Sequence, residues 1–512
     1  MCGIVGYVGA QQAAPILLEG LQKLEYRGYD SAGIAVLDGS TIELAKACGE
    51  IKNLLAKTHD GSDLHGYIGL GHTRWATHGA PTEANAHPHV SNDGKFAIVQ
   101  NGIIENFMEL REMLQAKGFR FHSETDTEVI VHLLDMYYTG DGNLKDTVMK
   151  TLGRLEGSYA IGILCADCPE QMFLARNGCP LIIGVGAGEN FFASDVTALV
   201  SHTKNVVYLD DGELAEVRAD SYTVFDCTGK PIEKPVSRVA WDIEAAEKGG
   251  YEHFMLKEIM EQPRAIKSTL DPRVKDHRVV FDELKMTDAQ LMGFNKIMIT
   301  ACGSAFYAGQ AGKYALEKLT HIPVDADLAS EFRYRDPIVD EHTLMIIISQ
   351  SGETADTIAA IREAQSKGAY VLSIVNVVGS TIARISDDVI YTWAGPEIAV
   401  ATTKGYTTQV SVLYLLALYL GEKRGCLSRE EAAKLTDDLM ILPQMVQRAI
   451  DLNPQIAQLA ERYKNNPSLF FIGRNVDYAV CMEGSLKLKE ISYLHSEAYA
   501  AGELKHGTIS LI

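Results

Sequence analysis

The chain has 512 residues, of which 46% are hydrophobic, and a formal net charge of −20 at neutral pH. This length accommodates more than one hydrophobic core, and the acidic balance argues against nucleic acid or an anionic membrane surface as a partner. Nine cysteines without the spacing of a disulfide framework fit a reducing, cytoplasmic environment, and we expect neither a cofactor nor a membrane-spanning segment.

Cys2 directly follows the initiator methionine and opens the apolar segment 2–9. Removal of Met1 would leave a free α-amino group with a pKa near ~8, which can accept the thiol proton. One residue would then supply both a nucleophile and its base. The alternative is that Cys2 is a small apolar residue at the start of a buried strand.

Three further motifs occur in the first third of the chain: HTRWATHG from His72, QNG from Gln100 and SETDTEV from Ser123. Together with Cys2 they resemble the class II glutamine amidotransferases, which use an N-terminal nucleophile. The resemblance implies glutaminase activity and an α+β fold, the αββα sandwich of that family.

The chemistry of these residues is compatible with glutamine hydrolysis. Arg74 offers a planar fork suited to bidentate binding of the glutamine α-carboxylate, and Asp126 is a counter-charge for its α-ammonium. The Asn101 side chain and the backbone N–H of Gly102 would stabilise the oxyanion that attack by sulfur creates. The resemblance adds a second group of glutamine-binding residues, namely Trp75, Thr77, His78 and His87.

Each of these residues also has an ordinary structural interpretation. Arg74 and Asp126 could form surface ion pairs, and Asn101-Gly102 is a strong hairpin-turn signal. Trp75, at the position of the family's ammonia-channel gate, could simply fill a core.

A metal site or a redox pair is less favoured by the same sequence. Four histidines cluster here: His72, His78, His87 and His89. They lie in a segment rich in Pro and Ala, without a Cys or carboxylate at ligand spacing, so we expect no metal. Cys165 and Cys168 have redox-motif spacing, but they end an apolar strand-like run, which favours a structural pair of thiols.

Residues 2–225 are predicted to form one domain of short alternating strands, for example near residues 33, 159 and 190. Two helices are predicted to interrupt them, over residues 105–117 and 125–138, the second capped by Thr125 or Asp126. Gly and Pro turn signals then predict a linker over residues 226–250.

After residue 250, amphipathic helices alternate with compact apolar strands. A helical lead-in is expected over residues 251–290, followed by strands near residues 296, 344, 370 and 469. Strands separated by helices predict a parallel sheet, in which ligands bind at the C-terminal ends of the strands.

Small hydroxyl residues follow two of these strands. Ser349, Gln350, Ser351 and Thr354 precede a predicted helix, and a helix N-terminus with free N–H groups favours a phosphate. The alternative is an ordinary N-cap by Ser351 or Thr354.

The segment SQSGETADT resembles the phosphosugar loop of sugar isomerase (SIS) domains. The resemblance implies two α/β units of this type, at residues 291–430 and, incompletely, at 460–512. It implies a sugar-phosphate site formed by Cys302, Gly303, Ser304, Ser349, Gln350, Ser351, Thr354, Val400, Ala401 and Thr403. Ala305 replaces a hydroxyl residue common in the family, so that Ser304 is expected to carry more of the phosphate contact.

A glutaminase followed by SIS domains resembles the amidotransferases that aminate and isomerise fructose 6-phosphate. The resemblance assigns Glu490 the proton transfer between two sugar carbons, Lys487 an assisting role, and His506 ring opening in a neighbouring subunit, which implies a homodimer. Glu483, Lys487 and Glu490 could otherwise be a solvated ladder of ion pairs on one helix face.

The sequence stops at Ile512, whereas that family continues through a C-terminal tail whose lysine engages the open-chain sugar. We therefore expect impaired synthesis of glucosamine 6-phosphate and a competent glutaminase. The alternative function is a phosphosugar-binding regulator with residual glutaminase activity. Partner domains of other amidotransferases are not favoured, because neither a phosphoribosyltransferase nor a synthetase motif is recognisable.

Overall fold

A computed structural model describes residues 2–25, 28–76, 79–140, 142–239 and 249–512 of the chain. The chain divides into two compact units, Met1–Ala246 and Glu247–Ile512. None of the described helices is both long enough and apolar enough to cross a membrane.

The first unit consists mainly of antiparallel strands. Its strands are β1 Gly3–Val8, β2 Ser31–Asp38, β3 Thr41–Cys48, β4 Ile68–Arg74, β5 His89–Val90, β6 Phe96–Ile104, β7 Gly157–Cys165, β8 Gln171–Asn177, β9 Ile182–Val185, β10 Asn190–Ala193, β11 Asn205–Tyr208, β12 Leu214–Arg218, β13 Tyr222–Phe225, β14 Pro231–Ile232 and β15 Ser237–Arg238. Its helices are α1 Ala13–Leu24, α2 Ile51–Lys57, α3 Phe107–Ala116, α4 Glu128–Tyr137 and α5 Leu144–Leu152.

These strands form two sheets, in the orders β15-β11-β9-β10-β1-β4-β2-β3 and β14-β13-β12-β8-β7-β6-β5. Side chains alternate across β1: Val5 and Tyr7 join the core beneath α1 and α2, whereas Ile4 and Val8 join the core between the sheets. Helices α3, α4 and α5 cover the outer face of the second sheet. The resulting αββα layers confirm the predicted sandwich.

Several local predictions in the first unit are wrong. Helices α1, α2 and α5 were not predicted, and α1 contains a proline and a glycine that obscure its pattern. Helix α4 begins only at Glu128, so neither Thr125 nor Asp126 caps it. Part of the predicted linker belongs to the sheets, since the turn at 226–230 connects β13 to β14 and β15 pairs with β11.

The second unit has parallel sheets and more helix. Its helices are α6 Phe254–Leu270, α7 Asp288–Gly293, α8 Gly303–Thr320, α9 Ala329–Phe332, α10 Ala355–Ser366, α11 Thr381–Ile385, α12 Lys404–Lys423, α13 Arg429–Met440, α14 Leu442–Ile450, α15 Asn453–Tyr463 and α16 Val476–Ser492. Its strands are β16 Val274–Lys275, β17 Arg278–Val279, β18 Lys296–Ala301, β19 Val324–Leu328, β20 Thr343–Ser349, β21 Tyr370–Val375, β22 Asp388–Tyr391, β23 Ser468–Gly473 and β24 His495–Ala500.

Five of these strands form a parallel sheet in the order β19-β18-β20-β21-β22, with a hydrophobic core on each face. The predicted strands β18, β20 and β21 occupy its centre. Strands β23 and β24 form a second parallel sheet. The two parallel sheets confirm the α/β prediction, and the predicted phosphate-binding residues 302–304 and 349–354 lie where β18 and β20 end.

Candidate active sites

Cys2 immediately precedes β1, whose neighbour β4 ends at Arg74. The Cys2 Sγ accepts a hydrogen bond from the Trp75 N–H at 3.3 Å and donates to the Trp75 carbonyl at 3.6 Å. Burial raises the pKa of the Cys2 thiol, while the Trp75 N–H and the Arg74 charge act in the opposite direction. A thiol of raised pKa needs a nearby base to become a nucleophile.

A pocket of the first unit opens on this sulfur. It is lined by Cys2, His72, Arg74, Trp75, His87, Gln100, Gly102, Thr125, Asp126 and Thr127. Asn101 contacts the same residue, because its Nδ2 donates to the Cys2 carbonyl at 3.1 Å. The fold therefore gathers most of the predicted glutaminase residues, while Thr77 and His78 lie outside the described residues.

Four lining residues were not predicted as site residues: His72, Gln100, Thr125 and Thr127. Each lies within two positions of a predicted one. The alternation of side chains along β4 and β6 could have identified His72 and Gln100, since residues two apart on a strand share a face.

Arg74 and Asp126 place opposite charges inside the pocket. They are only 4% and 7% exposed, which contradicts the surface ion-pair interpretation. The Arg74 guanidinium donates to the carbonyls of Gly79 and Ala80 at 3.1 and 3.2 Å, and the Asp126 Oδ2 accepts the Ile104 N–H at 2.8 Å. Such fixed charges suit a ligand that carries both a carboxylate and an ammonium group.

Asn101 and Gly102 lie within β6 and not in a hairpin turn. They pair with Ala160 and Tyr159 of β7. Gly102 has φ +116°, and a Cβ added there would lie 2.1 Å from the Ser158 carbonyl oxygen. The glycine is therefore required by close backbone approach, which the hairpin interpretation of the sequence overlooked.

Three imidazoles contact one another beside this strand, one pair stacked and the other edge-to-face. The ring centroids of His72 and His87 are 4.2 Å apart, and those of His87 and His89 are 4.8 Å apart. Burial lowers the pKa of His72 to about 3 and those of His87 and His89 well below the usual value, so all three are neutral. Within the described ranges no group of three metal-ligating side chains is suitably placed for an ion.

The second unit contains the predicted phosphate cradle between β20 and α10. The Ser349 Oγ accepts the Gly352 N–H at 3.0 Å, and the Ser351 Oγ accepts the Glu353 N–H at 3.2 Å. Thr354 occupies the N-cap position of α10, but its side chain makes no capping hydrogen bond. The interpretation of these residues as an ordinary side-chain cap is therefore wrong.

Two residues of the predicted sugar-phosphate site carry buried polar atoms that lack a partner in the described part of the chain, Gln350 Nε2 and Thr403 Oγ1. Burying such an atom without a hydrogen bond is costly, so each is a candidate ligand contact. Val400 is exposed and Ala401 is buried in the loop before α12.

Carboxylates hold that loop. The Glu258 Oε1 accepts the backbone N–H groups of Ile398 and Ala399 at 2.6 and 3.1 Å. The Glu397 Oε1 accepts the N–H of Thr403 at 2.8 Å. Glu258 was not predicted, because it lies on α6, about 140 positions earlier in the chain.

Residues after β18 meet the predicted catalytic helix α16. The N-terminal end of α8 contains Gly303 and Ser304, and the Ser304 hydroxyl donates to the Glu483 carboxylate at 2.8 Å. Cys302 lies beside Thr357, with Sγ and Oγ1 3.7 Å apart. The Ser304 hydroxyl is thus engaged by a carboxylate, a contact that the sequence analysis did not anticipate.

Glu483, Lys487 and Glu490 lie together on α16. The Lys487 Nζ is 2.5 Å from the Glu490 carboxylate and 3.5 Å from that of Glu483. Glu483 is only 5% exposed, and burial raises its pKa to about 7, whereas Glu490 is exposed, so the solvated-ladder interpretation is wrong for Glu483. His506 is exposed on the turn after β24.

Comparison with known proteins identifies the two types of domain. A glutamine amidotransferase domain model matches residues 50–237, and an SIS domain model matches residues 290–419 and 463–512. The chain is 54% identical to glutamine–fructose-6-phosphate aminotransferase (isomerizing) of Caldanaerobacter subterraneus and 47% identical to that of Thermus thermophilus, covering all of this chain and 84% of each relative.

A solved structure, the C-terminal domain of glucosamine-fructose-6-phosphate aminotransferase from Francisella tularensis, is 40% identical. It matches with a TM-score of 0.51 over 52% of this chain and 75% of that one. Fold and sites thus define a glutamine amidotransferase joined to SIS domains. The chain belongs to the glutamine–fructose-6-phosphate aminotransferase (isomerizing) family.

Proposed function

We propose that this enzyme releases ammonia from glutamine at the Cys2 site and uses it to aminate and isomerise fructose 6-phosphate. The products are glutamate and glucosamine 6-phosphate, which makes this the first step of hexosamine synthesis. The glutaminase reaction is supported mainly by one observation: Cys2 lines the same pocket as the buried, opposite charges of Arg74 and Asp126.

In the glutaminase reaction, Arg74 binds the α-carboxylate of glutamine and Asp126 binds its α-ammonium. The Cys2 sulfur attacks the side-chain amide carbon, and its proton passes through the α-amino group to the departing ammonia. Asn101 and the Gly102 N–H stabilise the oxyanion. Water then cleaves the thioester and releases glutamate. His87, Trp75, Thr77 and His78 complete the proposed glutamine site.

In the sugar reaction, the phosphate binds at the ends of β18 and β20. The unpartnered atoms of Gln350 and Thr403 support this placement. The proposed contacts are Cys302, Gly303, Ser304, Ser349, Gln350, Ser351, Thr354, Val400, Ala401 and Thr403.

Glu490 would move a proton between the two sugar carbons, and Lys487, whose Nζ is 2.5 Å from the Glu490 carboxylate, would assist it. His506 would open the sugar ring in a neighbouring subunit, which requires a homodimer. We also propose cytoplasmic action on small molecules alone, with neither nucleic acid nor membrane as a partner. The proposed domains are glutaminase from residue 2 to residue 225, extended by the paired strands β14 and β15, then the lead-in 251–290, and 291–430 and 460–512 for the SIS domains.

The test is to incubate the chain with glutamine and fructose 6-phosphate and to measure glutamate and glucosamine 6-phosphate separately. Production of both supports the proposal, and Glu490→Gln should then stop amino-sugar formation while sugar binding persists. An exposed control on another helix, Glu461→Gln, should have no effect. Sugar binding with glutamate as the only product would instead favour the phosphosugar-binding regulator with residual glutaminase activity.

A further inference from the structure

His72 lies on β4, two residues before Arg74, and is 1% exposed. Its Nε2 is 3.1 Å from the Gln100 carbonyl oxygen and 3.1 Å from the Asn101 Oδ1. None of the proposed steps uses this side chain. His72 nevertheless contacts Asn101, the residue whose side chain is proposed to stabilise the oxyanion.

The partners of Asn101 determine which way its carboxamide points. The Cys2 carbonyl is an acceptor only, so the Asn101 atom 3.1 Å from it must be the amino group Nδ2. The oxygen Oδ1 therefore faces His72. Because the His72 Nε2 meets two oxygen acceptors, that nitrogen carries the proton of the neutral ring.

A second imidazole holds the same stretch of backbone. The His87 Nδ1 accepts the Gln100 N–H at 3.3 Å, while His72 donates to the Gln100 carbonyl. The two rings stack, so His72 is fixed both by its hydrogen bonds and by its neighbour. Burial lowers the pKa of His72 to about 3, which keeps the ring a single-proton donor throughout the neutral range.

We infer that His72 is a positioning residue of the glutaminase, which holds the Asn101 carboxamide with its N–H groups toward Cys2. Without this donor only the hydrogen bond from Nδ2 to the Cys2 carbonyl opposes rotation of the carboxamide, and rotation would present its oxygen to the oxyanion. This inference rests on the proposed glutaminase reaction. Loss of one oxyanion donor typically costs about 10²–10³-fold in kcat, and loss of orientation should cost less, about 10–100-fold.

Three variants of His72 test whether this side chain acts by orienting the Asn101 carboxamide. A glutamine can place an N–H at the position of Nε2, an asparagine reaches only the position of Nδ1, and leucine has no donor. We expect His72→Leu and His72→Asn to lower kcat for glutamine hydrolysis by about 10–100-fold, with KM for glutamine changed less than about threefold. His72→Gln should recover most of the rate.

A double-mutant cycle tests whether the effect passes through Asn101. Asn101→Ala should cost much less in the His72→Leu background than in the wild-type chain, because the two residues act as a unit. Recovery by His72→Gln also separates orientation from proton transfer, since an amide cannot act as a base in neutral water.

Several results would overturn the inference. These are full activity of His72→Leu, a rise in KM with unchanged kcat, a glutamine variant no better than leucine, or additive costs in the cycle. If His72→Leu does not fold, comparison of the two polar variants still decides the matter. A wild-type chain that hydrolyses no glutamine would refute the proposed function itself, which is a distinguishable outcome.

Discussion

The two candidate sites differ in what burial does to their titratable groups. At the glutaminase site, burial lowers the pKa values of His72, His87 and His89, and these rings are neutral near pH 7. In the second unit, burial raises the pKa values of Glu258 and Glu483 to about 7. The same desolvation therefore keeps the charge of the folded glutaminase site constant near neutrality and lets the charge of the folded second unit change there.

Cys2→Ala should produce the largest loss of activity, and this loss should be confined to the glutaminase site of the first unit. Glutamate release is expected to fall by at least about a thousandfold, because no other group in the pocket replaces the sulfur nucleophile. Binding of fructose 6-phosphate, measured by calorimetry, should not change.

The matched control is Cys227→Ala, since Cys227 is an exposed thiol. It should retain full activity. Substantial glutamate release by Cys2→Ala, or a parallel loss of sugar binding, would mean that the two regions do not perform separate chemistry.

Gly102→Ala should damage the first region through its backbone. The new Cβ would meet the Ser158 carbonyl at 2.1 Å, at a φ of +116°. We expect a loss of about 2–4 kcal/mol in the stability of the first unit, from steric overlap and backbone strain together. Chemical denaturation measures this loss, followed by the fluorescence of Trp75 in a chain whose Trp241 and Trp393 are replaced by Phe.

Gly94→Ala measures the cost of backbone strain at a positive φ without the steric overlap expected at Gly102. Gly94 also has a positive φ, +74°, but a Cβ there has nothing within 4 Å. Its cost should be only about 1 kcal/mol. Equal costs at the two positions would show that close approach to Ser158 is not what requires Gly102.

Glu258→Gln should have a smaller effect, confined to the second region. The ionised carboxylate holds the Ile398 and Ala399 N–H groups more strongly than a neutral amide would. We expect fructose 6-phosphate to bind about 5–10-fold more weakly at pH 8, consistent with about 1–1.5 kcal/mol for charge-assisted hydrogen bonds.

The ratio of the variant's Kd to that of the wild type should approach one at pH 6. The reason is that wild-type Glu258, with its pKa raised to about 7, is then largely protonated as well. Glu341→Gln, an exposed control, should bind normally at every pH. A ratio that stays constant between pH 6 and 8 would rule out titration of Glu258 as the cause.

The alternation of strands and helices predicted the parallel sheet of the second unit, whereas the αββα layers of the first unit and several residues that meet at Cys2 followed from the resemblance carried by compact motifs. Prediction from sequence failed where contacts join distant positions. Glu258 supports a loop about 140 residues away, and Ser304 meets Glu483 across 179 positions. Hydrophobic periodicity is a local property of the sequence and does not predict contacts between such distant residues. Prediction from sequence also failed at Asn101-Gly102, where a turn-forming pair lies inside a strand because Ser158 approaches closely.

The measurement that tests the difference between the regions most directly is hydrogen exchange of the whole chain from pH 7 to 5, corrected for intrinsic rates. Unfolded histidines titrate near pH ~6.5, above the buried ones, so the first unit should lose stability as pH falls through that value. Buried Glu258 and Glu483 bind protons near pH 7, before unfolded glutamates do, so the second unit should gain stability over the same range.

We therefore predict that protection falls in β4 and β6 and rises in α6 and α16 as the pH is lowered. Protection that changes in the same direction in both units would contradict the account.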